Sequence, residues 1–167
     1  MTRFRSLIPT AILALGCTFL SAEDARFGVQ GALSFPTNDL TDTANPGIQV
    51  GGHALWDFGR GHGLMARADL GLYGSKDGFS TTSLGGGADY TYHIDRNGRG
   101  LYFLGGVTFI SFNTSGYGHS SSSNGLGIDV GVGYDLDRHL GFQARYMTHN
   151  IDSATLSSLN LGVTYTF

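Results

Sequence analysis

Residues 126–135 read LGIDVGVGYD, and this stretch decides the fold. Large apolar side chains stand at every second position from Leu126 to Tyr134, and glycine or aspartate stands between them. A period of two residues is the pattern of a β-strand with one apolar and one polar face. The placement of Asp129 then becomes the central question, because its carboxyl group points either to water around a sheet or into the interior of a closed one.

The same alternation recurs along the chain after residue 22, and turn residues interrupt it at regular intervals. It predicts an all-β fold, an eight-stranded antiparallel up-and-down barrel, whose strands match or slightly exceed the ~9–11 residues with which a tilted strand crosses a bilayer. The predicted strands are 25–35, 47–58, 63–74, 82–94, 100–112, 124–135, 140–149 and 157–167. Strand five, LYFLGGVTFISF, is apolar on both faces, so its register stays open.

The connections between the predicted strands alternate in length. Short turns follow strands two, four and six, and one of them contains Asn97-Gly98, a pair typical of tight hairpins. Longer loops rich in Ser, Thr and Asn follow the other strands. In an up-and-down barrel all short turns lie at one end and all longer loops at the other, which is typical of transmembrane barrels.

The charged residues within the strands share the polar face. Two arrangements fit: a secreted soluble barrel with an apolar, lipid-binding interior, or a membrane barrel with the faces reversed. The polar face is mostly Gly, Ser, Thr and Gln with single charges of both signs, which favours a narrow interior where each buried charge needs a partner. We therefore predict a transmembrane barrel. Its predicted interior polar network is Arg67, Asp69, Asp89, Asp129 and Arg145.

Aromatic residues cluster at the ends of the predicted strands. Rings of this kind form girdles at the two membrane interfaces, because the ring body is apolar and its edge is polar. The predicted girdle near the short turns is Phe27, Trp56, Phe58, Tyr92, Tyr134, Phe142 and Phe167. The predicted girdle near the longer loops is Phe35, Tyr73, Phe109 and Tyr146.

Composition excludes several classes of function. The chain has ten Lys and Arg against thirteen Asp and Glu, and Lys76 is its only lysine. No basic patch exists, so nucleic acid is not an expected partner. The six histidines lack metal-ligand spacing and no cofactor motif is present, so we expect neither a metal nor a cofactor.

Residues 1–22 have the layout of a secretory signal peptide, with two arginines before a short apolar run and small residues at its end. We expect cleavage after Ala22, which leaves one transmembrane β-barrel domain, 23–167. Loss of both arginines gives that domain a net charge of −5. The alternative is a lipoprotein cut before Cys17, the only cysteine.

The last nine residues, LNLGVTYTF, alternate again and end on an aromatic residue. In a closed barrel this strand pairs with the first strand, so neither has an exposed edge. The chain here resembles the small eight-stranded outer-membrane barrels of the opacity-protein and OmpX type. That resemblance implies a bacterial outer-membrane location and a terminal signal for the barrel-assembly machinery. The residues that match the signal are Leu161, Val163, Tyr165 and Phe167.

The expected function is non-enzymatic: a monomer in outer-membrane lipid and lipopolysaccharide that stabilises the envelope or binds a host or surface ligand through its longer loops. A general diffusion pore is not expected, because side chains fill an eight-stranded interior. Segment 113–125 is predicted to be the longest flexible loop. The candidate binding residues are Tyr117, His119, Asp39 and Asp42.

The enzymatic alternative is a lipid A deacylase, in which a histidine and a nearby serine at the outer rim transfer an acyl group. The family pattern has serine two residues after the histidine, whereas this chain has Ile151 at that position after His149. The candidate residues are Arg145, His149 and Ser153, or His119 with Ser120 and Ser121.

Overall fold

A computed structural model describes residues 25–95, 99–151 and 154–167, which form one closed barrel in which neighbouring strands pair antiparallel in chain order. The predicted fold class is confirmed. β8 pairs with β1 from Gly28–Thr166 to Asn38–Leu156 and closes the cylinder. The strands are β1 (Arg26–Asn38), β2 (Asn45–Gly59), β3 (His62–Gly74), β4 (Phe79–Asp95), β5 (Arg99–Gly116), β6 (His119–Asp135), β7 (Leu140–Ile151) and β8 (Ala154–Thr166).

Several predictions fall outside the described residues: the signal peptide with both of its cleavage sites, the Asn97-Gly98 turn, and Ser153. The described part contains one short 3-10 helix, Asp39–Asp42, between β1 and β2. None of its helices is long and apolar enough to span a membrane.

The two faces of the barrel wall differ sharply in chemistry. Apolar side chains cover the outside, where Leu33, Val107 and Val130 are more than half exposed. The interior holds charged and hydroxyl groups, and Thr108 next to Val107 is only 1% exposed. The soluble barrel with an apolar, lipid-binding interior is therefore the wrong alternative.

Pairing resolves the register of β5. Gly106 lies opposite Asp89 of β4 and opposite Asp129 of β6, and both aspartates point inward. The even-numbered residues of β5 therefore face the interior, as the burial of Tyr102 and Ile110 shows.

The aromatic girdles are present with one correction. Phe27, Tyr134 and Phe167 are among the exposed rings near the short turns, and Phe35 and Phe109 are exposed at the other end. Tyr73 was predicted in the second girdle, but it lies inside the barrel. It shares the parity of Arg67 and Asp69 in β3, so its side chain cannot face lipid.

The prediction of a long flexible loop over 113–125 is wrong. β5 continues to Gly116 and β6 begins at His119, and Tyr117-Gly118 alone forms the turn, with φ of 51° and 79°. β4 extends alongside them, since Phe79 pairs with Gly116. Serine and threonine accept strand geometry when a neighbouring strand satisfies their backbone groups, so a three-stranded sheet continues above the barrel wall.

The β6–β7 turn is held by one side chain. Asp137 Oδ1 accepts hydrogen bonds from the backbone N–H of Leu140 at 2.8 Å and of His139 at 2.7 Å. These two bonds lower the pKa of the Asp137 carboxyl group below its ordinary value.

A lowered folded-state pKa stabilises the fold above the unfolded pKa of about 3.9, and this contribution is lost as pH falls through the folded value. We expect Asp137→Asn to lower the urea midpoint of the folded protein at pH 6, and the difference from wild type to shrink below about pH 4. Urea unfolding at both pH values measures it. A difference that stays constant with pH contradicts the assignment.

Candidate functional site

An ion network crosses the middle of the lumen. The Arg67 guanidinium donates to three carboxylates, those of Asp69, Asp89 and Asp129, and its Nε reaches Asp89 Oδ2 at 3.1 Å. Arg145 Nη1 lies 2.9 Å from the same Asp89 oxygen. All five residues predicted from their parity are buried, and they form one connected network in which Asp89 joins Arg67 to Arg145.

Two glutamines close this network into a ring. Gln30 Nε2 of β1 donates to Asp69 Oδ1, and Gln30 Oε1 accepts from Gln143 Nε2 of β7 at 3.3 Å. Gln143 Oε1 in turn accepts from Arg145 Nη2 at 3.4 Å. The ring thus returns to Arg145 and ties five strands together across the lumen. We call these seven residues the lumenal ring: Gln30, Arg67, Asp69, Asp89, Asp129, Gln143 and Arg145.

Glycine at position 106 permits this arrangement. A β-carbon at position 106 would clash with Asp89, since it would lie 2.5 Å from the carboxylate oxygen Oδ1 and 2.7 Å from Cα. The small residue leaves room for carboxylates from the strands on both sides to converge on one guanidinium. Buried charges are tolerated only when paired in this way.

An apolar cluster closes the lumen at the end with the longer loops. Leu40 of the 3-10 helix is 2% exposed and packs between side chains of several strands, so the β1–β2 loop folds into the barrel mouth. We call this cluster the outer plug. Its residues are Leu40, Ala44, Tyr73, Ile110, Phe112 and Ile151, with Leu156 packed against them.

We expect Leu40→Ala to lower the free energy of unfolding by about 2–3 kcal/mol, because it leaves a cavity where the barrel mouth is now filled. Urea unfolding measures the loss, and limited proteolysis of the β1–β2 loop reports the opening directly. Leu136→Ala is the matched control, since Leu136 is exposed in the β6–β7 turn. Equal behaviour of the two variants contradicts a sealing role for Leu40.

A polar cavity of about 730 Å³ occupies the other end of the lumen, at the short turns. His53 Nε2 lies 3.2 Å from Thr166 Oγ1 there, and His93 Nε2 lies 2.9 Å from Asp135 Oδ2. Within the described residues, no group of three or more His, Cys, Asp or Glu side chains is arranged to hold a metal ion. The cavity extends towards the lumenal ring as far as Met65, whose sulfur atom accepts a hydrogen bond from Arg145 Nη2 at 3.6 Å.

The loops at the outer end brace one another. Asp39 Oδ2 accepts from the Thr155 backbone N–H at 2.6 Å, which joins the β1–β2 loop to β8. Lys76 Nζ donates to the carbonyl oxygen of Thr41. These contacts make the outer rim a connected surface rather than four independent loops.

The candidate binding residues of the loops fall in different places. Tyr117 is 79% exposed at the tip of the β5–β6 hairpin, where its hydroxyl donates to the Asp77 carbonyl oxygen at 3.1 Å and its ring meets Phe79 edge-on. His119 and Asp42 are exposed, whereas Asp39 is engaged with Thr155. No described contact joins Tyr117 or His119 to Asp39 or Asp42.

The geometry disfavours the deacylase candidates Arg145 and His149, whereas His119, Ser120 and Ser121 are exposed on the protruding hairpin. His149 is 1% exposed and lies in the lumen, with Phe112 edge-on at a ring distance of 6.2 Å. Arg145 belongs to the lumenal ring. A lipid ester in the outer leaflet meets only the outside of the wall, so neither side chain can reach it.

Three features of the site were missed in the sequence. Gln30 and Gln143 share the parity of the charged residues in their strands, and this signal could have included them in the network. Leu40 sits in a polar loop, PTNDLTDTANP, where a single leucine carries no periodic signal. The cavity at the short turns gathers residues from many strands, which no local pattern reports.

A closed barrel with an apolar exterior, aromatic girdles and a charged, sealed interior is an integral membrane β-barrel. A family model for the outer membrane protein beta-barrel domain matches residues 9–167, and the chain belongs to this family. Its location is therefore the bacterial outer membrane.

Solved structures show the same fold at low sequence identity. Ail, the attachment invasion locus protein of Yersinia pestis, is 18% identical, with a TM-score of 0.59 over 86% of this chain and 97% of Ail. Neisserial surface protein A is 17% identical, with a TM-score of 0.55 over 86% of this chain and 97% of the other. The N-terminal barrel of Pseudomonas aeruginosa OprF is 14% identical, with a TM-score of 0.56 over 86% and 98%. No curated protein matches the sequence.

Proposed function

We propose that this protein is a non-enzymatic surface-interaction barrel, which uses its wall as an anchor and its outer rim to bind a partner outside the cell. The observation that carries the proposal is the combination of a blocked lumen and a braced rim. The lumenal ring and the outer plug block the lumen between the cavity at the short turns and the outer rim, so the barrel offers no path for solutes. Its accessible chemistry outside the cell is that of the rim.

Charge on the rim narrows the class of partner. The described outer connections carry Asp39, Asp42 and Asp77, while their one lysine, Lys76, is bound to Thr41. Ail has been solved in complex with a heparin analogue, sucrose octasulfate. A sulfated ligand of that kind would be repelled by an acidic rim. We therefore propose a neutral or basic protein surface as the partner of this chain.

The remaining parts of the proposal concern biogenesis and environment. Residues 1–22 act as the export signal and are removed. The alternating residues at the C-terminal end of the chain are exposed on the outer face and present the assembly signal to the barrel-assembly machinery: Leu161, Val163, Tyr165 and Phe167. The folded protein is a monomer whose exterior contacts lipid and lipopolysaccharide.

Adhesion of bacteria that express the protein tests the proposal. One variant replaces Asn113–Ser122 by an Asn-Gly turn between the paired residues Phe112 and Ser123, which removes the protruding hairpin and keeps the rest of β5 and β6. We expect this variant to reduce bacterial attachment to cultured epithelial cells to about the level of bacteria that lack the protein. Tyr134→Ala, at an exposed ring near the short turns, is the control and retains attachment.

Attachment that is unaffected by loss of the hairpin contradicts the proposal. Mass analysis of lipid A from the same cells tests the non-enzymatic part. We expect unchanged acylation, and a lost acyl chain that depends on His149 would contradict it.

A further inference from the structure

The cavity at the short turns has no connection to the outside of the cell. The short turns of outer-membrane barrels lie in the periplasm, and the lumenal ring and the outer plug block the lumen beyond the cavity. Its volume of about 730 Å³ lies within the roughly 300–1,000 Å³ of pockets that hold small ligands. A molecule in the cavity enters and leaves from the periplasm, so the cavity has the form of a binding site and not of a channel.

Glycines in the wall keep this cavity open. Gly133 lies opposite Tyr102 in the paired strands, and Gly63 lies opposite Thr91. A β-carbon at Gly133 would overlap the ring of Tyr102, and one at Gly63 would lie 2.7 Å from Thr91 Oγ1. Both hydroxyl-bearing side chains therefore lie against the wall, over a neighbouring glycine. They line the cavity without filling it, whereas the side chains of the lumenal ring cross the lumen.

Free guanidinium groups surround the mouth of the cavity. Arg26, Arg99 and Arg138 line it and are exposed, and in the described part of the chain none of them forms an ion pair. Asp57 at the mouth is used within its own turn, where Oδ1 accepts a hydrogen bond from the Gly59 backbone N–H at 2.7 Å. A guanidinium presents a planar fork of donors that matches a carboxylate. The mouth therefore has donors available for a carboxylate group.

Two further polar groups line the cavity. His53 is 5% exposed, and its Nδ1 atom has no hydrogen-bond partner among the described residues. A buried polar atom without a partner costs free energy, so a bound group that reaches this imidazole is stabilising. The side chain of Asp135 is 25% exposed and binds His93 through Oδ2 alone. Its carboxylate can accept a further hydrogen bond from an ammonium group.

We propose that the cavity is a binding site for a short peptide with free ends, which enters from the periplasm. The lining carries three arginines and four aspartates: Arg26, Arg99, Arg138, Asp57, Asp95, Asp135 and Asp137. An ion of one sign meets repulsion as well as attraction in such a lining. A zwitterion, in contrast, can place each of its charges beside an opposite one.

The two ends of the peptide bind different residues. Its carboxylate binds guanidinium groups at the mouth, among them that of Arg26, and its ammonium group binds Asp135. The hydroxyl groups of the wall bind its amides. This site lies at the opposite end of the barrel from the outer rim, so the inference goes beyond the proposed surface-interaction function.

Methyl NMR spectra of the protein in lipid nanodiscs test the inference, with tri-alanine as the probe. Met65 and Thr164 line the cavity, so their methyl signals should shift in a saturable manner. The methyl signals of Val107, on the outside of the wall, should not move. Tri-alanine with acetylated and amidated ends should bind at least about tenfold more weakly, because it loses both charged ends. Equal affinity for the two peptides, or no saturable shift with either, overturns the inference.

Two arginines at the same end of the barrel provide a matched pair of variants. Arg26→Gln removes a charge that lines the cavity, whereas Arg60→Gln removes an exposed charge in the β2–β3 turn that does not line it. We expect the first to weaken binding of tri-alanine by about fivefold, the loss of one charge-assisted contact, and the second to leave it unchanged. Equal affinities of the two variants contradict the role of the arginines.

Asp135→Asn tests the contact with the ammonium group. We expect it to weaken binding of tri-alanine by about fivefold and to leave the weaker binding of acetylated tri-alanine, which has no ammonium group, unchanged. The same loss for both peptides contradicts that contact. None of these variants changes the outer rim, so bacterial attachment should stay at the wild-type level in all of them. A failure of the peptide experiment therefore overturns this inference and leaves the proposed function intact.

Discussion

Arg67→Met is expected to lose about 3–5 kcal/mol of folding free energy, because it removes the shared partner of three buried carboxylates. Asp69, Asp89 and Asp129 would remain in the lumen. Among the residues that the structure describes, Arg145 is then the one cation paired with any of them, and it contacts Asp89 alone. Urea titration of the protein in lipid vesicles measures the change. The folded fraction is read from the different gel mobilities of the folded and heat-denatured forms.

Arg138→Met is the matched control, since Arg138 is exposed in the β6–β7 turn, and we expect it to change stability little. Adding Asp129→Asn to Arg67→Met removes one unpaired charge and should restore part of the stability. If Arg67→Met and Arg138→Met unfold at the same urea concentration, the lumenal ring does not stabilise the barrel as described.

Val130→Arg should be the second most damaging substitution, with a loss of about 2–4 kcal/mol. Val130 is 56% exposed on the outside of β6, next to the buried Asp129. An arginine there must enter hydrocarbon near the middle of the wall. The same vesicle titration measures the loss.

Ser115→Arg is its control. Ser115 has the outward parity of Val107 in β5, but it lies in the protruding hairpin and faces water. We expect nearly unchanged stability for that variant. Equal destabilisation by both arginines would show that depth in the membrane does not matter, contrary to an apolar face in contact with lipid.

Parity made the wall predictable from sequence. A strand has only two faces, so one charged residue in β3, β6 or β7 assigns each remaining side chain of that strand to the interior or to the exterior. This is why Arg67, Asp129 and Arg145 led to the interior network. β5 has no charged residue between Leu101 and Phe112, so its register required the pairing with Asp89 and Asp129.

Features that depend on contacts between distant loops were not predictable. Leu40 closes the barrel because β1 and β2 bring their connecting loop over the mouth, and its partners Ile110 and Ile151 lie far away in sequence. The predicted strands stop short of the outer ends of β4, β5 and β6 for a related reason: β4 and β6 begin earlier in the structure, and β5 ends later. Serine, asparagine and glycine indicate a loop when considered alone, and only the neighbouring strands convert 113–124 into a sheet.

The orientation of the wall is tested most directly by nuclear Overhauser effects between protein methyl groups and acyl chains, in protein folded in detergent micelles or nanodiscs. We expect cross-peaks to the acyl chains from Val107, Val130 and Leu161, all of which are exposed on the outside. The methyl groups of Thr108 and Thr164, which are buried inside, should give none. Acyl-chain contacts from the threonines and none from the valines would contradict a barrel with its charges sealed inside.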